Sequence, residues 1–305
     1  MLFVLAQMFF LIACGVLWRS YAPQHIPTSS HRRALTDLVF YILLPAMVLD
    51  VIWRSELDSS SIQISLLAIC GLITGVSLMW LLSRALRLTN TQTGALLLAA
   101  TFPNATYLGL PVLDQVLGPW SNSTVLQYDL FACTPILLSL GILMAKHYGS
   151  QDVEVHPLRE LLKVPPLWAV TLAITLNFAG IAQAEVIHSV LSILAGGVVP
   201  LMLIALGMSI RWDTMKVKFL PLLLPVVVIS LFIVPTSVYF MGELIGLTDQ
   251  VALATVLIAA MPTMVFGIII CERYQLDSEL YAAAVTLTTV CSLISLPLWF
   301  KWLAI

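Results

Sequence analysis

Ala95-Leu96-Leu97-Leu98-Ala99-Ala100-Thr101-Phe102-Pro103 and Ala254-Thr255-Val256-Leu257-Ile258-Ala259-Ala260-Met261-Pro262 agree at four of nine positions and end on prolines in register. Each stretch sits inside an apolar run that is long for one membrane crossing, 92–117 for the first and 250–271 for the second. A proline in a helix interior removes one donor and clashes with the preceding turn, so both runs are read as interrupted helices. A second pair of prolines keeps step with the first. Pro45 stands in Leu43-Leu44-Pro45-Ala46-Met47-Val48-Leu49 and Pro200 in Val198-Val199-Pro200-Leu201-Met202-Leu203-Ile204, each about sixty residues ahead of its partner break.

Working outward, the 305 residues are 60% hydrophobic and 10% charged, with a mean hydropathy of +1.00. Soluble domains carry about a quarter charged residues, so this is an all-α polytopic membrane protein. A crossing helix needs roughly 20 mostly apolar residues, and ten such runs are present. They lie near 2–18, 35–53, 62–82, 92–117, 123–145, 165–182, 186–210, 219–241, 250–271 and 280–303. The first has no upstream basic segment and is expected to stay as a helix. A net charge of -2 leaves no basic stripe, which argues against a nucleic-acid partner. The five cysteines stand singly in apolar runs, without the spacing of a metal site or a disulfide framework.

Twelve of the fourteen Lys and Arg fall in the odd-numbered loops: Arg19, Arg32, Arg33, Arg84, Arg87, Lys146, Arg159, Lys163, Arg211, Lys216, Lys218 and Arg273. Cytoplasmic loops carry that excess, so both termini are expected outside the plasma (inner) membrane and the central linker in the cytoplasm. The linker, about 147–164, divides the chain into a first repeat, 1–146, and a second, 165–305, of five spans each. An odd number of crossings turns the second copy over, so the repeat is inverted. Trp18, Trp53, Trp80, Trp120, Trp168, Trp299 and Trp302 fall near span ends, as an interfacial belt predicts.

Unwound backbone at membrane depth is tolerated only where protein or a water-filled cavity satisfies it, and paired breaks in two halves point to a transporter's substrate site. A half-helix that begins at a break aims N–H groups into the gap, which can therefore hold an anion. Pro103 and Pro262 mark the two gaps. Asn104 offers amide donors and an acceptor to a carboxylate, or it caps the second half-helix. Thr106 and Thr263 line the gap from either side, or bond their own preceding turns. Asp129, in span 5, is a candidate proton or ion carrier because intramembrane carboxylates often serve as relays; the bland reading is an interfacial position. Asp50 is a second coupling candidate, although Arg54 four residues later explains it as an i,i+4 pair. Asp37 and Asp114 read as solvated, and His188 as a satisfied structural group.

Phe102-Pro103-Asn104-Ala105-Thr106-Tyr107-Leu108-Gly109-Leu110-Pro111 resembles the N-T-x-x-x-G-x-P signature of the auxin efflux carrier family. The segments around Pro45, from Pro200 to Gly207, from Met261 to Tyr274 and from Leu296 to Trp299 resemble family segments in the same order. The resemblance implies ten helices in two inverted repeats, with helices 4 and 9 crossing at their breaks, an architecture shared with bile-acid sodium symporters. It implies transport of organic anions: plant members export auxin, and bacterial members carry malate and malonate. The short linker is like that of compact bacterial members. Where the family commonly has a second amide near the helix 9 break, this chain has Thr263, Met264, Val265 and Phe266.

The expected function is thus a secondary carrier of a small organic anion, working by alternating access. The sequence holds no H-E-x-x-H, G-x-S-x-G or G-x-x-x-x-G-K-[ST] motif, so neither an enzyme nor a primary pump is expected, and no cofactor or metal. A proton, sodium or the membrane potential remain as driving forces, a homodimer is compatible, and a sensor on the same scaffold is the alternative.

Overall fold

The computed structural model describes residues 2–21, 26–55, 57–149, 161–210, 219–247 and 249–303. Residues 150–160 of the polar linker lie outside the described residues, as do Arg211, Lys216 and Lys218. All regular structure among the described residues is helical, apart from one isolated bridge between Pro103 and Thr263. We number the helices α1 Leu2–Tyr21, α2 Ser30–Arg54, α3 Ser59–Ala85, α4 Asn90–Thr101, α5 Leu110–Leu117, α6 Ser121–Tyr148, α7 Pro165–Phe178, α8 Glu185–Ser209, α9 Leu220–Leu244, α10 Asp249–Ala259, α11 Gly267–Arg273 and α12 Ser278–Leu303. Helix lies in each of the ten apolar runs. Six helices among the described residues, α2, α3, α6, α8, α9 and α12, are long and apolar enough to cross a membrane. Their outward side chains are apolar, with Val186 and Ile193 of α8 each 76% exposed. Water would not tolerate so much exposed hydrocarbon on a single chain, whereas lipid does; the protein is a multi-pass membrane protein.

The chain forms two compact units that interleave along the sequence rather than following its two halves. Unit 1 is Met1–Asp58, Thr106–Leu126 and Arg159–Ile210; unit 2 is Ser59–Ala105, Gln127–Leu158 and Arg211–Ile305. In unit 1, α1 packs on α8 through Gly15 and Gly207, and a Cβ on Gly15 would lie 2.9 Å from the Gly207 Cα. α2 packs on α7 and α8. Its last turn leaves carbonyls without helical partners, and Asn177 supplies them: its Nδ2 donates to Trp53 O at 2.9 Å and to Ser55 O at 2.8 Å. Trp53 Nε1 in turn donates to Ile181 O at 2.7 Å.

In unit 2, α3 packs on α4, α9 and the middle of α6. Gly75 lets α3 approach α4 closely, since a Cβ there would fall 2.6 Å from Ala100 O. α4 starts with a capping box in which Thr89 Oγ1 accepts the Gln92 N–H and Gln92 Oε1 accepts the Thr89 N–H.

Prolines shape several helices without breaking them. Val39–Leu43, Ala105–Gly109, Tyr128–Cys133 and Ile229–Ile233 are π-helical, and each ends two residues before a proline: Pro45, Pro111, Pro135 and Pro235. A proline cannot donate to the carbonyl four residues back and collides with it; widening the preceding turn relieves the collision. The carbonyl left over in α9 is that of Leu231, and Trp299 Nε1 of α12 donates to it at 2.8 Å. A further π-helical stretch, Leu137–Gly141, has no such proline.

Candidate functional site

The two interruptions fall where Pro103 and Pro262 stand. α4 ends at Thr101 and helix resumes at Ala105, while α10 ends at Ala259 and α11 starts at Gly267. Phe102 has extended backbone, φ -102 and ψ 110. The open backbone is not left to itself: Asn104 N–H donates to Pro262 O at 2.7 Å and Met264 N–H donates to Phe102 O at 3.1 Å. These are the two rungs of a minimal antiparallel bridge, and they stand in for helical bonds lost where the chain unwinds. In a medium without water, each such group would otherwise cost several kcal/mol.

α12 completes the second break. Thr288 Oγ1 accepts the Thr263 N–H at 3.1 Å, and Tyr281 Oη donates to Met264 O at 2.8 Å. Gly267 is what lets Tyr281 reach that carbonyl, because any Cβ there would collide with the phenol. Thr263 is fully buried, and its hydroxyl donates to Ala99 O at 2.8 Å. It therefore neither bonds its own turn nor offers its hydroxyl proton to the gap, as the two sequence readings had it; it ties the second break to the last turn of α4. Pro262 is buried and Pro103 half-buried. Thr106 is 6% exposed and lies in the π-helical stretch that begins the second half of the interrupted span, on the unit 1 side of the division.

Asn104 is different from its neighbours. It is 2% exposed, and its amide nitrogen, buried, has no hydrogen-bond partner among the described residues. Thr101 Oγ1 is buried and unpartnered in the same way. A cavity of about 10 Å³ is lined by Ala99–Pro103, Ser230, Val234, Ala259, Met261 and Thr263. That is room for about one water molecule and too little for a carboxylate.

The acids take different places. Asp129 is 8% exposed within the π-helical stretch of α6, and its Oδ1 accepts the Thr134 hydroxyl at 3.0 Å. Asp50 is held not by Arg54 but by His188 of α8, whose Nδ1 lies 2.7 Å from Asp50 Oδ1. Arg54 Nη1 lies 3.0 Å from the His188 ring nitrogens, so the three form a chain from carboxylate through imidazole to guanidinium. Asp37 pairs with Arg33 at 3.8 Å on the surface. Asp114 is half-buried: it accepts Asn122 Nδ2 at 2.8 Å and lines a cavity of unit 1 with Asp50. Thr288, Tyr281 and Thr101 were not singled out in the sequence; polar residues in the apolar helix that follows the second break, Ser278–Leu303, are the signal that could have found the first two. No group of three or more His, Cys, Asp or Glu is arranged to hold a metal among the described residues.

Residues 2–300 match the membrane transport protein family. An uncharacterized transporter of Methanothermobacter thermautotrophicus is 26% identical over 268 residues, 87% of each chain. An uncharacterized transporter of Methanocaldococcus jannaschii is 26% identical over 278 residues, covering 88% of this chain and 89% of its own. The uncharacterized transporter YfdV of Escherichia coli is 21% identical, covering 88% of this chain and 87% of its own. With a family match that spans nearly its whole length and helices built to cross a bilayer, the chain belongs to the membrane transport protein family, that of the auxin efflux carriers.

Proposed function

We propose that this transporter is a secondary carrier of a small organic anion, a carboxylate such as malate, malonate or an auxin-like weak acid, bound where the two interrupted spans meet. The observation that carries the reading is the Asn104 side chain, buried at the paired breaks with an unpartnered amide nitrogen. An amide donor recognises a carboxylate oxygen without carrying charge, and a site without an ion pair releases what it captures. Pro103 and Pro262 hold the backbone open, Thr263 fixes the second break, and Thr106 begins the helix that leaves the first. The water-sized void beside Pro103 has to enlarge before substrate enters, which alternating access supplies; unit 2, which holds both breaks, is the body that carries substrate.

In this reading the chain crosses the membrane ten times, counting α4 with α5 and α10 with α11 as single spans that cross at their breaks. The inverted repeats are 1–146 and 165–305, with both termini outside and the linker 147–164 cytoplasmic. Asp129 carries a coupling proton, and the Asp50–His188–Arg54 chain is the second coupling candidate.

The test is solute-driven current in proteoliposomes across a panel of carboxylates, with and without imposed pH or sodium gradients. Asn104→Ala abolishes transport while the protein stays folded, and Asp129→Asn loses the response to a pH gradient. Unchanged kinetics in Asn104→Ala would remove the breaks from the account, and an unchanged gradient response in Asp129→Asn would remove the proton from Asp129.

A further inference from the structure

We propose that unit 1 contains a second binding site, for an amphipathic organic ammonium ion. A cavity of about 910 Å³ opens among α1, α2, α5, the start of α6 and α8, a size that suits an organic ligand. Its apolar wall includes Phe10, Leu11, Met47, Val51, Val199 and Leu203. Two carboxylates, Asp50 and Asp114, face it together with the Asn122 amide, and no Lys or Arg is among its lining residues.

The hydrogen-bond inventory decides the sign of the ligand. Asp50 accepts one bond, from His188, and Asp114 accepts one, from Asn122 Nδ2. Asn122 is 5% exposed and its Oδ1 is buried without a partner. Its amide cannot be turned round, because Oδ1 would then face the Asp114 carboxylate. The only charged groups left for a ligand are therefore acceptors, the second oxygen of each carboxylate, beside the neutral side chains of Gln7, Gln115 and Ser192. A donor-only group complements them, and a carboxylate does not, which separates this cavity in its chemistry from the site at Asn104. The Asp50 charge is balanced through His188 by Arg54, whereas Asp114 has no cationic partner among the described residues. One net negative charge thus faces an apolar wall. A metal ion would need a fuller shell of oxygen ligands, and no group of three or more His, Cys, Asp or Glu arranged to hold one occurs among the described residues. An ammonium group on a hydrocarbon body asks for one charged acceptor, one or two neutral ones and the wall, all of which are present, with the Phe10 ring at the rim.

The experiment is calorimetric titration of the purified chain in nanodiscs with phenethylammonium, phenethyl alcohol and hydrocinnamate, three probes of one shape and different charge. The ammonium ion binds saturably and the alcohol and the acid at least tenfold more weakly. Asp114→Asn weakens the ammonium at least tenfold. Gly196→Leu gives a second arm that does not touch a charge: Gly196 lines the cavity, a Cβ there meets nothing within 4 Å, and the added side chain fills the space and removes binding in a protein that unfolds like wild type. Asn104→Ala keeps ammonium binding, so failure of the anion site and failure of this one are told apart. Equal binding of the alcohol, no saturable binding of the ammonium, or full binding in Gly196→Leu overturns the proposal.

Discussion

Replacing Thr288 by valine isolates one hydrogen bond on which the second break depends. Thr288 and Thr263 are both 0% exposed, and the Thr263 N–H has the Thr288 hydroxyl as its acceptor at 3.1 Å. Valine keeps the shape and deletes the acceptor. The hydroxyl's other contacts, to Ala284 O at 2.8 Å and Val285 O at 3.3 Å, are back-bonds within α12, whose carbonyls belong to the helix ladder. The cost is then that of one buried donor left unmade, about 1–3 kcal/mol. Thr255→Val is the control: Thr255 is equally buried, and its hydroxyl bonds only its own helix, at Val251 O, 2.7 Å away. It leaves no donor orphaned and stays within about 0.5 kcal/mol of wild type. Stability is read by denaturant titration in mixed micelles, and the local event by hydrogen exchange at the Thr263 amide. Exchange there should speed up by about 5- to 150-fold, the equivalent of that free energy at 1.4 kcal/mol per tenfold. If the two valine variants are equally stable and the Thr263 amide exchanges at its wild-type rate, the bond does not hold the break and the argument for α12 as its support is wrong.

Trp299→Phe orphans the Leu231 carbonyl opposite Pro235 and lowers stability by about 1–3 kcal/mol, whereas adding Pro235→Ala supplies the missing N–H and recovers part of the loss; a double variant no more stable than the single one contradicts the pairing. A cysteine placed at Gln151 in a chain with its five cysteines replaced is labelled by an impermeant reagent only from the cytoplasmic face, and outside labelling reverses the orientation.

The breaks were legible because proline chemistry is local. Pro103 and Pro262 lie deep in apolar runs, and both interrupt helix. The same reasoning did not foresee the widened turns before Pro45, Pro111, Pro135 and Pro235, because a proline can be absorbed by a looser turn as well as by a gap. What decides is whether other groups satisfy the freed backbone: at Pro103 the Thr263 hydroxyl and the backbone of the second break do so, and at Pro235 a tryptophan does. Partners of this kind come from far along the chain and leave no pattern in spacing. Asp50 shows the same limit. Its i,i+4 neighbour Arg54 is the pairing a helix offers, yet His188, 138 residues away, takes the carboxylate. Asn104 was readable as a candidate from its place after a proline; that its amide is left unpartnered is a property of the folded surroundings. The interleaving of the two compact units was likewise hidden, since the sequence shows halves in order and folding shuffles them.

The bridge between Asn104 and Pro262 also sets an order of events during synthesis. When the first break enters the bilayer, the stretch of chain that will accept its N–H has yet to leave the ribosome. Until then the newly inserted span carries open backbone that hydrocarbon penalises by several kcal/mol per group. That span gains its acceptor at Pro262 only when the penultimate apolar run arrives. A chain cut short before that run would present quality control with an unfinished span, so the last third of the gene guards the integrity of the first.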